Sequence, residues 1–179
     1  MPIRPADPAD IPEIQAIYAH HVLTGTGSFE EAPPSIEEME ARFAKVGGHG
    51  WPFLVSTDAT GVLGYAYATQ FRDRSAYRFT LEDSVYVRQD QRGQGVGKAL
   101  VAALIARAEA AGFRQMMAVI GDSENVGSIG LHASLGFQRV GLLRAVGLKF
   151  GRWLDVVYMH RALGAGAGSA AGDDPQPRG

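Results

Sequence analysis

Residues 81–111 read LEDSVYVRQDQRGQGVGKALVAALIARAEAA, and the order of residue types in them decides the fold. Val85, Tyr86 and Val87 are consecutive β-branched or aromatic residues, the composition of a strand. Arg88-Gln89-Asp90-Gln91 is polar and ends it. Arg92-Gly93-Gln94-Gly95-Val96-Gly97-Lys98 is a glycine-rich turn that opens directly into a helix. Leu100, Val101, Leu104, Ile105 and Ala108 recur at steps of three and four, one face of a 3.6-residue period. A strand, a glycine turn and a helix start together make an anion site. The first helical turn has unpaired N–H groups at the positive end of the helix dipole. Glycines let a phosphate approach that backbone with no Cβ in the way.

Two nucleotide patterns fail on spacing. A Walker A loop needs Gly, four residues, then Gly-Lys-Ser/Thr; here Ala99 follows Lys98 and offers no hydroxyl to magnesium. Gly93 to Gly97 reads GxGxG rather than the dinucleotide GxGxxG, and it lies mid-chain, later than a Rossmann unit usually begins. What stands is Arg-x-x-Gly-x-Gly at Arg92, Gly95 and Gly97. Taken alone, the cluster also fits a plain loop.

Composition narrows the function classes. The 179 residues are 46% hydrophobic and 20% charged, which suits one globular domain. A net charge of −2 gives no basic field for nucleic acid. The chain has no cysteine, so disulfides, thiolate metal sites and a cysteine nucleophile are excluded, and acyl transfer would be direct or use another residue. Met1 to Pro5 carries no long apolar run, and no 18-residue apolar stretch occurs anywhere, so neither a secretory signal nor a membrane span is expected. A cytoplasmic protein is the plain expectation.

Outward from 81–111, the chain reads as follows. Ile3-Arg4 begins a short strand. A helix starts at Asp10, buries Ile11, Ile14, Ile17 and Tyr18, and ends at His20-His21. Those histidines point in different directions on a helix and lack carboxylates in pattern, so no metal site is expected. Residues 23–34 are an irregular connector holding Phe29 and Glu30. Ser35 and Glu38 form a capping box for a helix to about Lys45. Phe53 to Val55 and Val62 to Ala68 make a hairpin, followed by a basic, aromatic loop at 70–78 and a strand over 79–87. After the helix that follows the glycine turn, closed by Gly112, come a strand from Arg114 to Ile120, a short helix capped near Asn125, a strand region from Val140, an interruption at 147–155, and a last strand at 156–159. Residues 1–163 then form one domain, and 164–179, with nothing to bury, are expected to be a disordered tail. The class is α/β (mixed α+β), a mostly antiparallel twisted sheet flanked by helices, with one parallel crossover from 79–87 to 114–120.

Over residues 3–163 this order resembles the GNAT family of N-acetyltransferases. The motifs that carry the closer likeness, to phosphinothricin and methionine sulfoximine/sulfone acetyltransferases, are several. They are Gly64-Tyr65-Ala66-Tyr67-Ala68, Phe71-Arg72-Asp73-Arg74, residues 77–87, Arg92 to Gly97, Asn125 with Ser128, Leu131-His132, Gly136-Phe137 and Lys149 to Asp155. The resemblance implies acetyl-CoA as cosubstrate, no metal, a small amino-acid-like acceptor and a homodimer. It implies Glu82 as general base and the Val85 backbone as donor to the acyl oxygen. It also implies Val85, Tyr86, Val87, Arg92, Gly93, Gln94, Gly95, Val96, Gly97, Lys98, Asn125 and Ser128 around the cofactor. His132 stands where many GNAT enzymes carry a tyrosine acid, so a proton for the leaving thiolate comes from His132 or from water. Arg72 and Arg74, two apart, are candidates to grip a substrate carboxylate. Asp73, Tyr77, Phe79, Asp83, Ser84, Phe29 and Glu30 complete the expected acceptor pocket. Phe79 stands where the subfamily leads one to expect tryptophan. Asp83 alternates to the sheet face opposite Glu82, so the two are not expected to form a carboxylate pair. A protein or polyamine N-acetyltransferase and a non-catalytic acyl-CoA sensor stay open on sequence alone.

Overall fold

The computed structural model describes residues 1–169. Its element order is β1 (Ile3–Pro5), α1 (Ile11–Thr24), α2 (Ile36–Gly48), β2 (Phe53–Asp58), β3 (Gly61–Gln70), β4 (Thr80–Val87), α3 (Val96–Ala110), β5 (Gln115–Gly121), α4 (Val126–Ser134), β6 (Gln138–Lys149) and β7 (Arg152–Ala162). The strands form one sheet in the order β1-β2-β3-β4-β5-β7-β6. Every neighbouring pair is antiparallel except β4 and β5, which are joined by the α3 crossover.

Alternation along the strands loads both faces. Leu81 of β4, Met116 and Ala118 of β5 and Leu100, Val101 and Leu104 of α3 share one apolar cluster. Ile11, Ile14 and Tyr18 of α1, Met39 of α2 and Tyr65 of β3 form the other. The layers therefore follow from the 3.6 and 2.0 periodicities of these segments. Ser35 and Glu38 close the expected capping box on α2.

Several boundaries differ from the sequence reading. Helix α1 continues beyond His20-His21 to Thr24, because Val22 is buried and His21 is tied to the Val87 carbonyl. Helix α2 runs past Lys45 to Gly48, with Val46 buried in its last turn. The interruption expected at 147–155 is instead the tip of a hairpin. Lys149 pairs with Arg152 across a two-residue turn, Phe150-Gly151, whose φ values of 51° and 73° are those of a primed turn. Gly147 reads like a loop residue for a packing reason: a Cβ there would lie 2.2 Å from the Phe29 ring. At the end of the chain, residues 164–169 form turns held by Arg114, which donates to the carbonyls of Gly166 at 2.9 Å and Ser169 at 3.0 Å. The remainder of the expected tail, 170–179, lies outside the described residues. Among the described residues, no helix is long and apolar enough to cross a membrane.

Candidate active site

One change of partner frames the site. Strand β4 pairs with β3 from Leu81 through Val87, but with β5 only from Thr80 to Asp83. Strand β5 runs on to Gly121 against β7. A gap therefore opens between the end of β4 and the end of β5. The Phe79 carbonyl accepts from Arg114 and Gln115 on the β5 side, while the Thr80 carbonyl accepts from Phe71 on the β3 side. Backbone direction alternates along a strand, so Val85 and Val87 turn their N–H and C=O groups into the gap, where no strand meets them.

The gap is the head of a groove of about 630 Å³, within the usual range for a small-molecule site. Ser84 to Val87 line one side and Ala118 to Asp122 the other. The α3 start closes one end with Arg92, Gly93, Gly95, Val96, Gly97 and Lys98. Gly93 and Gly95 have φ of +74° and +83°, and nothing lies within 4 Å of where a Cβ would be. An L side chain there would be strained and would fill space now open to an anion. Gly97 serves packing as well: a Cβ would lie 2.9 Å from Leu131 and 3.3 Å from Val87, so the helix start sits close against β4 and α4.

Helix α4 supplies the far wall. The Asn125 carboxamide oxygen caps it by accepting from Ser128 N at 3.2 Å, and both residues line the groove. One turn on, His132 is buried. Its Nδ1 lies 2.7 Å from the Ser128 carbonyl, which only accepts, so Nδ1 carries a proton. Its Nε2 lies 3.0 Å from Asp83 Oδ2. Burial alone would lower the His132 pKa, but the bonds to Asp83 and Ser128 outweigh it, and the value is raised. Asp83 Oδ1 is buried on the groove side without a hydrogen-bond partner among the described residues.

The opposite face of β4 carries Glu82. Its side chain is about 30% exposed, and Oε2 lies 3.6 Å from Arg72 Nη1. Burial raises the Glu82 pKa, partly countered by the Arg72 charge and reinforced by Asp83. Arg72 also stacks on Phe71, with its guanidinium carbon 4.0 Å from the ring centre, and reaches Tyr158 Oη at 3.5 Å. Phe79 lies under the Arg78 guanidinium, and Tyr77 edges onto Phe71. Glu30 is held by Arg42, and Phe29 packs against Gly121 and Gly147.

Two groups emerge from the residues singled out in the sequence. Asp83, Ser84, Val85, Tyr86, Val87, Arg92, Gly93, Gly95, Val96, Gly97, Lys98, Asn125, Ser128 and His132 all line the groove. Gln94 is not among the lining residues; its side chain donates to the Asp90 carbonyl. Glu82, Arg72, Asp73, Arg74, Tyr77, Phe79, Phe29 and Glu30 lie outside the lining. Asp73 and Arg74 are exposed. Asp83, expected beside the acceptor, sits with His132 on the cofactor side, as strand alternation places it.

The sequence reading missed His21, Thr26, Gly27 and Asp122. His21 Nε2 donates to the Val87 carbonyl at 2.9 Å, and burial lowers its pKa. Asp122 Oδ2 accepts from Thr26 Oγ1 at 2.7 Å and from Arg152 at 2.6 Å. No spacing rule links positions so far apart in the chain.

The groove residues suit acetyl-CoA. A helix start with two open glycines fits a pyrophosphate, and the Val85 N–H and C=O and the Val87 N–H, unpaired by any strand among the described residues on this side, fit the amides of a pantetheine arm, the Val87 carbonyl being taken by His21. Among the described residues no cluster of ligating side chains is arranged for a metal ion.

Comparison with known proteins gives the same picture. Residues 3–158 match the acetyltransferase (GNAT) domain family. The chain is similar to a phosphinothricin N-acetyltransferase of Alcaligenes faecalis, 59% identical over 157 residues, covering 88% of this chain and 80% of that one. It is 48% identical over 162 residues to an L-methionine sulfoximine/L-methionine sulfone acetyltransferase of Pseudomonas aeruginosa, covering 90% and 94%. Among solved structures, the crystal structure of a GNAT superfamily phosphinothricin acetyltransferase from Sinorhizobium meliloti in complex with AcCoA superposes with a TM-score of 0.94. It is 47% identical and covers 98% of this chain and 95% of that one.

Proposed function

The chain belongs to the GNAT acetyltransferase family, and from that membership we propose that it is an acetyl-CoA-dependent N-acetyltransferase acting on the α-amine of a small amino-acid analogue. The acceptor class is that named for its relatives: phosphinothricin, methionine sulfoximine or methionine sulfone. One observation carries the chemistry. Glu82 and the open Val85 backbone lie three residues apart, where β4 loses its partner, so a base and a donor flank the open strand edge.

Acetyl-CoA, when bound, supplies a thioester carbonyl as electrophile. The residues of the chain do the rest. Glu82 takes the proton of the attacking amine, and its raised pKa makes it a stronger base than an ordinary carboxylate. The Val85 N–H, met by no strand on the groove side, offers a donor to charge growing on the acyl oxygen. His132 has Nδ1–H committed to the Ser128 carbonyl and Nε2 to Asp83, so it holds Asp83 at the groove wall, and the proton for the leaving sulfur comes from solvent in the groove. Arg72, beside Glu82, is the cation best placed for a substrate carboxylate.

A CoA-release assay over phosphinothricin, methionine sulfoximine, methionine sulfone, polyamines and aminoglycosides tests the acceptor. Turnover is expected with the first three. Turnover confined to polyamines or aminoglycosides would refute the assignment, and tight CoA binding without any turnover would favour a sensor.

We also infer a homodimer, supported by the exposed Leu143, Val146, Leu148, Phe150 and Trp153 on the β6–β7 hairpin. Sedimentation showing a monomer at assay concentration would refute it. A cytoplasmic location fits a chain without cysteine; recovery of the native protein outside the cytoplasm would overturn that.

A further inference from the structure

The tip of the β6–β7 hairpin makes contacts that the proposed reaction does not use. Lys149 is only 2% exposed, and among the described residues no other lysine or arginine is buried. Its Nζ donates to the Gly25 carbonyl at 2.9 Å and the Ser28 carbonyl at 2.6 Å. Across the turn, Arg152 holds Asp122 Oδ2, and that oxygen also receives the Thr26 hydroxyl. The Phe29 ring occupies the place where a Cβ on Gly147 would be. Three residues of the hairpin therefore reach the 25–29 connector, directly or through Asp122. Gly25, Thr26 and Gly27 of that connector line the groove.

Stability is a poor reason for this lysine. Burying an ammonium with no carboxylate in ion-pair contact costs desolvation that its hydrogen bonds, the Phe150 ring and the more distant Glu31 and Glu30 charges only partly offset, and an apolar side chain of similar length would fill the same volume. What a methionine cannot do is fix two carbonyls of a connector rich in glycine. We propose that Lys149 is a positioning residue for acetyl-CoA. By gripping the Gly25 and Ser28 carbonyls it holds the 25–28 wall of the groove in place, so the hairpin tip acts on the site of its own subunit. This rests on the reading of the groove as a CoA site.

The test is calorimetric titration of the full chain with CoA, alongside amide hydrogen exchange. Lys149→Met is expected to weaken CoA binding about tenfold, as loss of charge-assisted bonds of this kind does. Exchange should quicken at 25–30 and stay unchanged in β5 and α3. Lys149→Gln, which keeps an N–H donor, should recover part of the affinity, and it serves as the readout if the Met variant does not fold. Wild-type affinity in both variants would overturn the proposal. So would weaker binding accompanied by faster exchange throughout the sheet, which marks general destabilisation. A wild-type protein that does not bind CoA would instead overturn the cofactor reading itself, and it would do so before any substitution is made.

Discussion

Exchange of Glu82 for Gln removes the proposed base and little else. The amide has the shape of the carboxylate, so packing beside β3 and β5 is kept. Only the ion pair with Arg72 is given up, a pair 3.6 Å long between side chains 48% and 30% exposed. Exposed pairs of this kind contribute about 0–1 kcal/mol, so Tm should barely move. The pH linkage points the same way. Burial raises the Glu82 pKa in the folded protein, so the folded state binds the proton more tightly than the unfolded one. The stability linked to this group is therefore present at acid pH and lost as pH rises through the folded pKa. At neutral pH the Gln variant should be as stable as the wild type or slightly more so. Catalysis should respond differently. A positioned general base contributes about 10²–10⁴-fold, and kcat should fall by that order. Glu82 does not line the groove, so acetyl-CoA affinity should stay the same. The wild-type kcat/KM for the amine should fall as pH drops through a pKa above the ordinary carboxylate range; in the variant that component should vanish, leaving only the dependence set by ionisation of the acceptor amine itself. Steady-state kinetics across the acid-to-neutral pH range, with calorimetric CoA titration, checks all of this. A kcat within about threefold of wild type, with the acid limb intact, would refute the base assignment.

Two further perturbations test the groove. A Cβ at Gly121 would lie 2.7 Å from the Thr26 carbonyl and 3.0 Å from that of Gly27, so Gly121→Ala should push back the 25–27 wall. Overpacking of this kind costs about 1–3 kcal/mol, and the variant should show a lower Tm and a raised acetyl-CoA KM; an unchanged KM would mean the wall is not used. His132→Phe leaves the Asp83 carboxylate buried without its partner, which costs about 3–5 kcal/mol in denaturant melts. Because the His132 pKa is raised, its contribution to stability is complete below the ordinary histidine value and is lost as pH climbs through the raised one. Asp83→Asn should flatten that pH dependence, and a persisting slope would break the pairing argument.

How much was legible in the sequence depended on whether a feature is local. The glycine turn, the α3 face, the Asn125 cap and the Ser35–Glu38 box depend on residues a few positions apart, and the structure has each as read. The separation of Glu82 from Asp83 needs only strand alternation. The hairpin tip was misread because Gly147 and Gly151 resemble loop residues. One is glycine to admit the Phe29 ring and the other to satisfy a turn, and only the first reason depends on a residue over a hundred positions away. His21, Thr26 and Asp122 join the groove through hydrogen bonds between segments far apart in the chain, which no local pattern encodes. The Arg72–Arg74 spacing marks two cations on one loop, and the fold shows what the spacing does not, that Arg72 turns to Glu82.

The neighbouring carboxylates of β4 show why the strand split matters to the chemistry. On a loop, two acids adjacent in sequence could turn toward each other and raise each other's pKa strongly, whereas here Asp83 is the smallest of the influences on Glu82. On a strand they project to opposite faces, and the sheet keeps them apart. Glu82 then faces Arg72 and Tyr158, and Asp83 faces His132. Each has its own neighbours, and the structure raises the pKa of Glu82 on one side and of His132 on the other. A proton taken up by Glu82, as proposed, therefore stays on one face, apart from the Asp83–His132 pair on the other. The two faces meet at one open edge, because β5 parts from β4 directly after Asp83. Had β5 stayed paired to Val87, the Val85 and Val87 backbone would be spent on the sheet, and the proposed base would be cut off from the groove by an unbroken wall.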